Sequence, residues 1–274
     1  MKIVSPNGNE YQVGKRLGGN SRFTLYACSS EEKKDTLILK ISTLKKFNSD
    51  VDREAFLLGE LYNEAQLTEE AFAKEKEEGN DTFLNYHFFF PLLIESFVSI
   101  DNGSRTVSVI DFSHICTKLV ELVPISHIIK KQRLSVDPRT SAWILGKLLK
   151  LLDFVHSQEI SVGNISIGNI LINRDEHYVL IFDWSNATIQ VSGLSDDTKT
   201  EEIASATKSV LKLLGSKNDG SLLKSSQIPD DRYELLLKSF ALGDKSNALE
   251  AKDEFYSLIR NMWPREFYPY TTVK

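Results

Sequence analysis

A polar pattern around two short strands offers the clearest chemistry in this sequence. Apolar strands are expected at 170–173 and 178–182, with Asn169 just before the first and Asp183 directly after the second. A strand that leads into Asp183 would place its carboxylate at the strand end. Asn164 and Ser166 precede the first strand, and an amide cannot take up a proton near neutral pH, so Asn164 cannot serve as a general base. These two side chains could instead hold their loop by bonding to its backbone, which we favour.

The same stretch resembles the active site of the protein kinases. In that family the catalytic loop H-R-D-L-K-x-x-N is followed by the metal-binding D-F-G. The resemblance implies that Asn169 and Asp183 are magnesium ligands, although an Asp-Trp turn after a strand is common. Asn164 stands at the position of the catalytic aspartate and Ser166 at that of the lysine, so both catalytic groups are degenerate. Loss of the base alone removes an acceleration of about 10²–10⁴-fold.

Lys40 ends the alternating run 36–41 and resembles the lysine of the kinase V-A-I-K strand, which meets the ATP phosphates. Its expected partner is a glutamate on the next helix, and Glu54 fits best because it precedes the apolar positions as the family's glutamate does. Glu60 and Glu64 remain alternatives. A lysine at the end of a strand can also be simply solvated.

The glycine-rich loop of the family is only partly present. Gly18 matches the first glycine, whereas Asn20 and Phe23 replace the second and third. Phe23 adds bulk where a close approach of backbone to phosphate is needed. A plain β-turn explains this segment equally well. The resemblance also places an adenine-binding hinge near Asp111 and Ser113, whose backbone groups could contact adenine with almost any side chains.

Composition excludes several classes of protein. The chain has 274 residues, of which 41% are hydrophobic and 26% charged, as in ordinary globular proteins. A net charge of −5 gives no general reason to bind nucleic acid or an anionic membrane. Two cysteines, Cys28 and Cys116, suit a reducing cytosol, and no apolar run reaches the length of a membrane span. We therefore expect a cytoplasmic protein.

The elements that would position these residues change character along the chain. The first part predicts strands and one helix, capped near Ser49 or Asp50, with a stop at 79–81. The expected strands are 10–17, 23–28, 36–41, 90–99 and 105–112, the last two joined by a turn at Asn102 and Gly103.

The second part is mostly helical. Asp137 is a good N-cap with Pro138 at the first helical position, and the helix to His156 is apolar nearly all round. Further helices are expected at 201–214, 230–242 and 247–262, with a polar loop at 215–227.

This order predicts an α+β, bilobal protein kinase-like fold: a small β-rich N-lobe at 1–113 and a reduced helical C-lobe at 114–274. The resemblance covers about residues 11–262 and points to a compact kinase-like protein of bacterial type. The leading hypothesis is a pseudokinase in signalling, with ATP and magnesium as implied ligands and another protein as its partner. The alternatives are an atypical phosphotransferase that is still active and a scaffold that binds no nucleotide.

Overall fold

The computed structural model describes residues 1–76, 84–216 and 231–273. These residues form two compact units, Met1–Leu122 and Val123–Lys274. The boundary lies after Leu122, later than the expected 113, because the intervening segment returns to the first unit. There the Leu119 amide donates to the Asp35 carbonyl at 3.0 Å.

The first unit contains an antiparallel sheet with the strand order β1-β2-β3-β4-β6-β5. Its strands are β1 Lys2–Val4, β2 Glu10–Gly19, β3 Phe23–Ser29, β4 Leu37–Ser42, β5 Leu92–Ser99 and β6 Arg105–Asp111. Five of them lie at the expected positions, and β1 was not predicted. Every residue of β4 is buried, as expected for a strand with neighbours on both edges. Leu39, Ile41, Val107 and Val109 belong to the hydrophobic core of this sheet.

Helix α1 of the first unit spans Asn48–Glu75 and buries one face, which includes Val51, Leu58 and Leu61. The predicted capping near Ser49 or Asp50 is wrong, because the helix follows a 3₁₀ turn directly and has no side-chain cap. The side-chain oxygen of Asn48 instead accepts from the backbone amide of Thr106 at 2.9 Å, which joins the start of α1 to the sheet. The stop expected at 79–81 lies outside the described residues.

The second unit is built on helices, with short strands around them. The helices are α2 Ile125–His127, α3 Pro138–Ser157, α4 Asp196–Leu213, α5 Asp231–Leu242 and α6 Ala248–Met262. The strands are β7 Leu122–Pro124, β8 Ser135–Val136, β9 Ile160–Ser161, β10 Ile170–Asn173, β11 Tyr178–Ile181, β12 Thr188–Ile189 and β13 Thr272–Val273. Three sheets result, ordered β11-β10-β7, β12-β9 and β13-β8.

Helix α3 is the centre of the second unit. Ile144, Leu145, Leu149 and Val155 on it are completely buried. The predicted N-cap is confirmed, since the Asp137 side chain accepts from the amides of the first turn. The polar loop expected at 215–227 lies almost entirely outside the described residues.

Helix α4 begins earlier than the expected residue 201. The Ser195 side chain caps it by accepting from the Thr198 amide at 3.2 Å, and Asp196 and Asp197 suit the positive end of the helix dipole. Among the described residues, no helix is both long and apolar enough to cross a membrane.

We predict that Asp137→Ala destabilises the protein by about 1–2 kcal/mol, because it removes the cap of the central helix. The carboxylate is buried and also accepts from the Thr140 hydroxyl at 2.5 Å. Urea unfolding monitored by circular dichroism measures the change. Asp253→Ala on the exposed face of α6 is the matched control, and equal effects of the two substitutions would contradict the assignment.

Candidate functional site

Lys40 and Glu54 form an ion pair inside the first unit. Lys40 is 1% exposed and Glu54 2% exposed, so the pair is nearly dry. Strand β4 supplies the lysine and α1 the glutamate, which is the partner that the sequence favoured. Glu60 and Glu64, the alternatives, lie on the exposed side of α1. The pair therefore joins the sheet to its helix.

The ring of Phe23 covers the Lys40 amine. Nζ of Lys40 lies 3.7 Å from the ring centroid, and the Phe23 side chain is itself buried. A cation over an aromatic face is stabilised by about 2 kcal/mol when the contact is desolvated. The amine thus has Glu54 as its counter-ion and Phe23 as its cover.

Backbone amides of the turn between β2 and β3 donate to acceptors within the turn itself. Asn20 Oδ1 accepts from the amides of Arg22 at 2.8 Å and Phe23 at 3.1 Å, and the Asn20 amide donates to the Phe23 carbonyl at 2.9 Å. In the kinase family such amides would approach phosphates. Here the β-turn interpretation describes the segment, and those two donors are engaged within it.

Glycine is required by the backbone at Gly19 rather than at Gly18. Gly19 has φ +136°, and a Cβ there would lie 2.4 Å from the Phe23 carbonyl oxygen. Gly18 pairs with Leu25 in the sheet, and a Cβ on it would meet no atom within 4 Å. Gly18, the predicted cofactor residue, is therefore a strand position at which the structure leaves room for a side chain, and its predicted role stays a prediction.

Asp111 and Ser113, the predicted hinge residues, are neighbours in one polar cluster, in which Asp111 is buried and Ser113 is exposed. The Asp111 carboxylate accepts from the Thr36 hydroxyl at 2.8 Å and from the Ser113 hydroxyl at 2.6 Å, and it forms an ion pair with Lys33. Burial by itself would raise the pKa of Asp111, but the hydrogen bonds from Lys33, Ser113 and Thr36 together hold it below its ordinary value. These side chains fasten the end of β6 to the segment before β4.

In the second unit, Asn169 and Asp183 are bonded to each other. The Asp183 amide donates to Asn169 Oδ1 at 2.6 Å, and Asn169 Nδ2 donates to the Asp183 carbonyl at 2.9 Å. Asn169 Nδ2 also donates to the Asn164 carbonyl at 2.8 Å. The two predicted metal ligands therefore come together, but the Asn169 amide holds the backbone of the loop. Asp183 Oδ1 in turn accepts from the Ser185 amide at 3.2 Å.

These groups fit a bound metal only in part. Asp183 is 9% exposed and Asn169 5% exposed. Within 1–76, 84–216 and 231–273, no three His, Cys, Asp or Glu side chains are grouped so that they could hold a metal ion. Trp184 is buried and donates from its indole to the Ile181 carbonyl at 3.0 Å, which anchors the turn after Asp183.

The loop before β10 is held differently from our expectation. In the part of the chain that the structure describes, the side chains of Asn164 and Ser166 make no hydrogen bond, and their backbone carbonyls are the acceptors instead. The Ser166 carbonyl accepts from the Asn169 amide at 2.9 Å. The prediction that the two side chains bind the loop is therefore wrong.

A buried carboxylate that the sequence analysis missed secures this loop from outside. Glu202 on α4 accepts from His156 at 2.9 Å, from the Ser161 hydroxyl at 2.8 Å and from the Gly163 amide at 2.7 Å. Gly163 has φ +68°, and a Cβ there would lie 2.4 Å from the Asn186 carbonyl oxygen. In the sequence, Glu202 stands just before apolar residues of α4. Glutamates stand in the same position on ordinary surface helices, so this pattern does not mark Glu202 as buried.

We predict that Asp111→Asn lowers the stability at neutral pH by about 2 kcal/mol, because it removes a charged acceptor. Since the folded-state pKa of Asp111 lies below the unfolded value, the carboxylate stabilises the fold above about pH 4. This contribution is lost as the pH falls through the folded-state pKa. The difference between wild type and variant should therefore shrink below about pH 4 in urea unfolding from neutral to acidic pH. A difference that is independent of pH would contradict it.

The comparisons with known proteins concern the fold. No protein-family model matches the sequence, and no curated protein matches it. Among solved structures, the chain is similar to vaccinia related kinase 3, with a TM-score of 0.63, 13% sequence identity and coverage of 96% of this chain and 90% of that one. It is also similar to the BubR1 kinase domain, with a TM-score of 0.62, 11% identity and coverage of 95% and 83%. The chain therefore has the protein kinase-like fold that its sequence predicted.

Proposed function

We propose that this chain is a pseudokinase: a kinase-like protein without phosphotransfer activity that works by binding another protein. The observation that carries the proposal is the enclosure of Lys40 by Glu54 and the Phe23 ring. An active kinase also needs this lysine–glutamate pair, so the feature that sets this chain apart is the Phe23 ring over the amine.

The chemistry of the second unit supports the same conclusion. Phosphoryl transfer needs phosphates held in place, metal ions to neutralise their charge and a group that orients the attacking hydroxyl. Asn164 cannot accept a proton, and Ser166 brings no positive charge to the position where negative charge would gather. The replacement at Asn164 and the replacement at Ser166 would each lower the rate of phosphoryl transfer, whatever the state of Lys40.

We propose that the resting protein requires neither ATP nor magnesium. If magnesium bound, Asp183 and Asn169 would be its ligands, and the ion would neutralise phosphate charge. Asn169 Oδ1 already accepts from the Asp183 amide, and the amides of Arg22 and Phe23 already donate to Asn20. A nucleotide would have to compete with these internal bonds, so we propose that the protein works without one.

We also propose that the protein is located in the cytoplasm. Cys28 and Cys116 are both free and buried, and burial raises the pKa of each thiol to about 12. Thiols of this kind behave as small apolar side chains and suit a reducing compartment.

We predict that ATP, with or without magnesium, leaves the melting temperature of the wild-type protein unchanged. A ligand present at a hundredfold excess over its Kd would stabilise the folded state by about 2.7 kcal/mol. For a chain of this size that corresponds to a rise of about 5–10 °C. Differential scanning fluorimetry with millimolar ATP measures the shift.

Phe23→Ala tests the reason for this result, because it removes the ring that covers Lys40. ATP should stabilise this variant but not the matched Phe23→Leu, in which an apolar side chain still fills the space. A rise of several degrees for the wild type would contradict the proposal. So would transfer of labelled phosphate that is lost in Asp183→Ala, since it would favour an active atypical phosphotransferase.

A further inference from the structure

A groove on the second unit lies outside the residues discussed so far. The first half of α3, the turn before β11, the second half of α6 and the segment that follows α6 line it, and its volume is about 330 Å³. The side chains on which the argument rests are Trp143, Lys147, His177, Arg260, Arg265 and Phe267. We call it the C-terminal groove.

Three stacked rings form one wall of the C-terminal groove. The His177 ring lies between Trp143 and Phe267, with centroid distances of 4.7 Å on each side and interplanar angles of 9° and 12°. Phe267 is nevertheless 74% exposed. The wall therefore ends in an aromatic surface that a further apolar group could cover.

Two nitrogens of this wall have no hydrogen-bond partner among the described residues. They are Trp143 Nε1 and His177 Nε2, and both are buried. An indole nitrogen can only donate, and a buried donor without an acceptor costs about 1–3 kcal/mol. An acceptor supplied from outside the chain would recover that energy.

The charges around the C-terminal groove favour an anionic acceptor. Among the described residues that line it, the basic side chains are Arg139, Lys147, Arg260 and Arg265, and the acidic one is Glu266. Glu266 already pairs with Arg139 at 3.4 Å. Burial lowers the pKa of Lys147, and no carboxylate in the described ranges forms an ion pair with its amine. Basic groups thus remain uncompensated beside an unsatisfied indole.

We propose that the C-terminal groove binds an acidic peptide segment of a protein partner. A glutamate or aspartate of the peptide accepts from Trp143 Nε1 and pairs with Lys147, and a neighbouring apolar side chain covers Phe267. The proposal names the partner surface of the proposed function and rests on it. A peptide fits better than a nucleic acid, because the groove is small and the chain carries a net charge of −5.

Selection from a phage-displayed library of random peptides on the whole protein tests the proposal. We expect the enriched sequences to carry an acidic residue next to an aromatic or large aliphatic one. Glutamine in place of that acidic residue should weaken binding at least about tenfold, the loss expected for one charge-assisted hydrogen bond. Enrichment of basic peptides, or no enrichment, would overturn it.

Matched variants place the binding in the groove. Lys147→Gln and Trp143→Phe should each weaken the best selected peptide about tenfold in fluorescence anisotropy, and so should Phe267→Ala, which alters an exposed ring and spares the core. Lys208→Gln, which changes an exposed lysine on α4, is the charge-matched control and should leave the affinity unchanged.

Equal affinity of Lys147→Gln and wild type, or binding of a single-stranded oligonucleotide that depends on Lys147, would contradict the proposal. Neither outcome bears on the ATP melt, so the two proposals fail separately.

Discussion

The buried ion pair between Lys40 and Glu54 is the interaction on which the first unit depends. Two charges removed from water are costly, and they persist only when each satisfies the other in good geometry. Removing either partner would leave an uncompensated charge and cost about 3–5 kcal/mol. Phe23 completes the arrangement by covering the amine with its ring. A lysine held in this way fixes α1 against the sheet, as active kinases also require, and we regard the Phe23 cover as the feature that opposes phosphate binding.

The second unit follows the same principle. Asn169 gives both atoms of its side-chain amide to the loop, and Glu202 gives its carboxylate to His156, Ser161 and Gly163. The side chains of Asn169 and Glu202 are therefore satisfied from within the protein, whereas those of Asn164 and Ser166 make no hydrogen bond among the described residues. An Asn169 side chain that is already bonded has less to offer to a metal ion or a nucleotide, whereas the C-terminal groove retains donors and charges that nothing in the described chain satisfies.

The regular parts of the fold were predictable because they follow from local pattern. Alternation located the strands, and the Asp137–Pro138 pair located the start of the central helix. The Lys40–Glu54 pairing followed from the family's spacing. Contacts between segments far apart in sequence were not predictable: the Phe23 ring over Lys40, Lys33 beside Asp111, and Glu202 beneath the loop at Gly163. Each depends on how strands and helices pack, and a charged residue in such a position looks the same in sequence as one on the surface.

The reactivity of Lys40 toward an amine-reactive reagent tests the central claim most directly. Native protein is treated with acetic anhydride, and each lysine is followed by mass spectrometry, with exposed Lys208 as the internal reference. The enclosure of Lys40 predicts that it stays unmodified while Lys208 reacts, and that Phe23→Ala makes it reactive. Rapid modification of Lys40 in the wild type, slowed by added ATP, would contradict the claim.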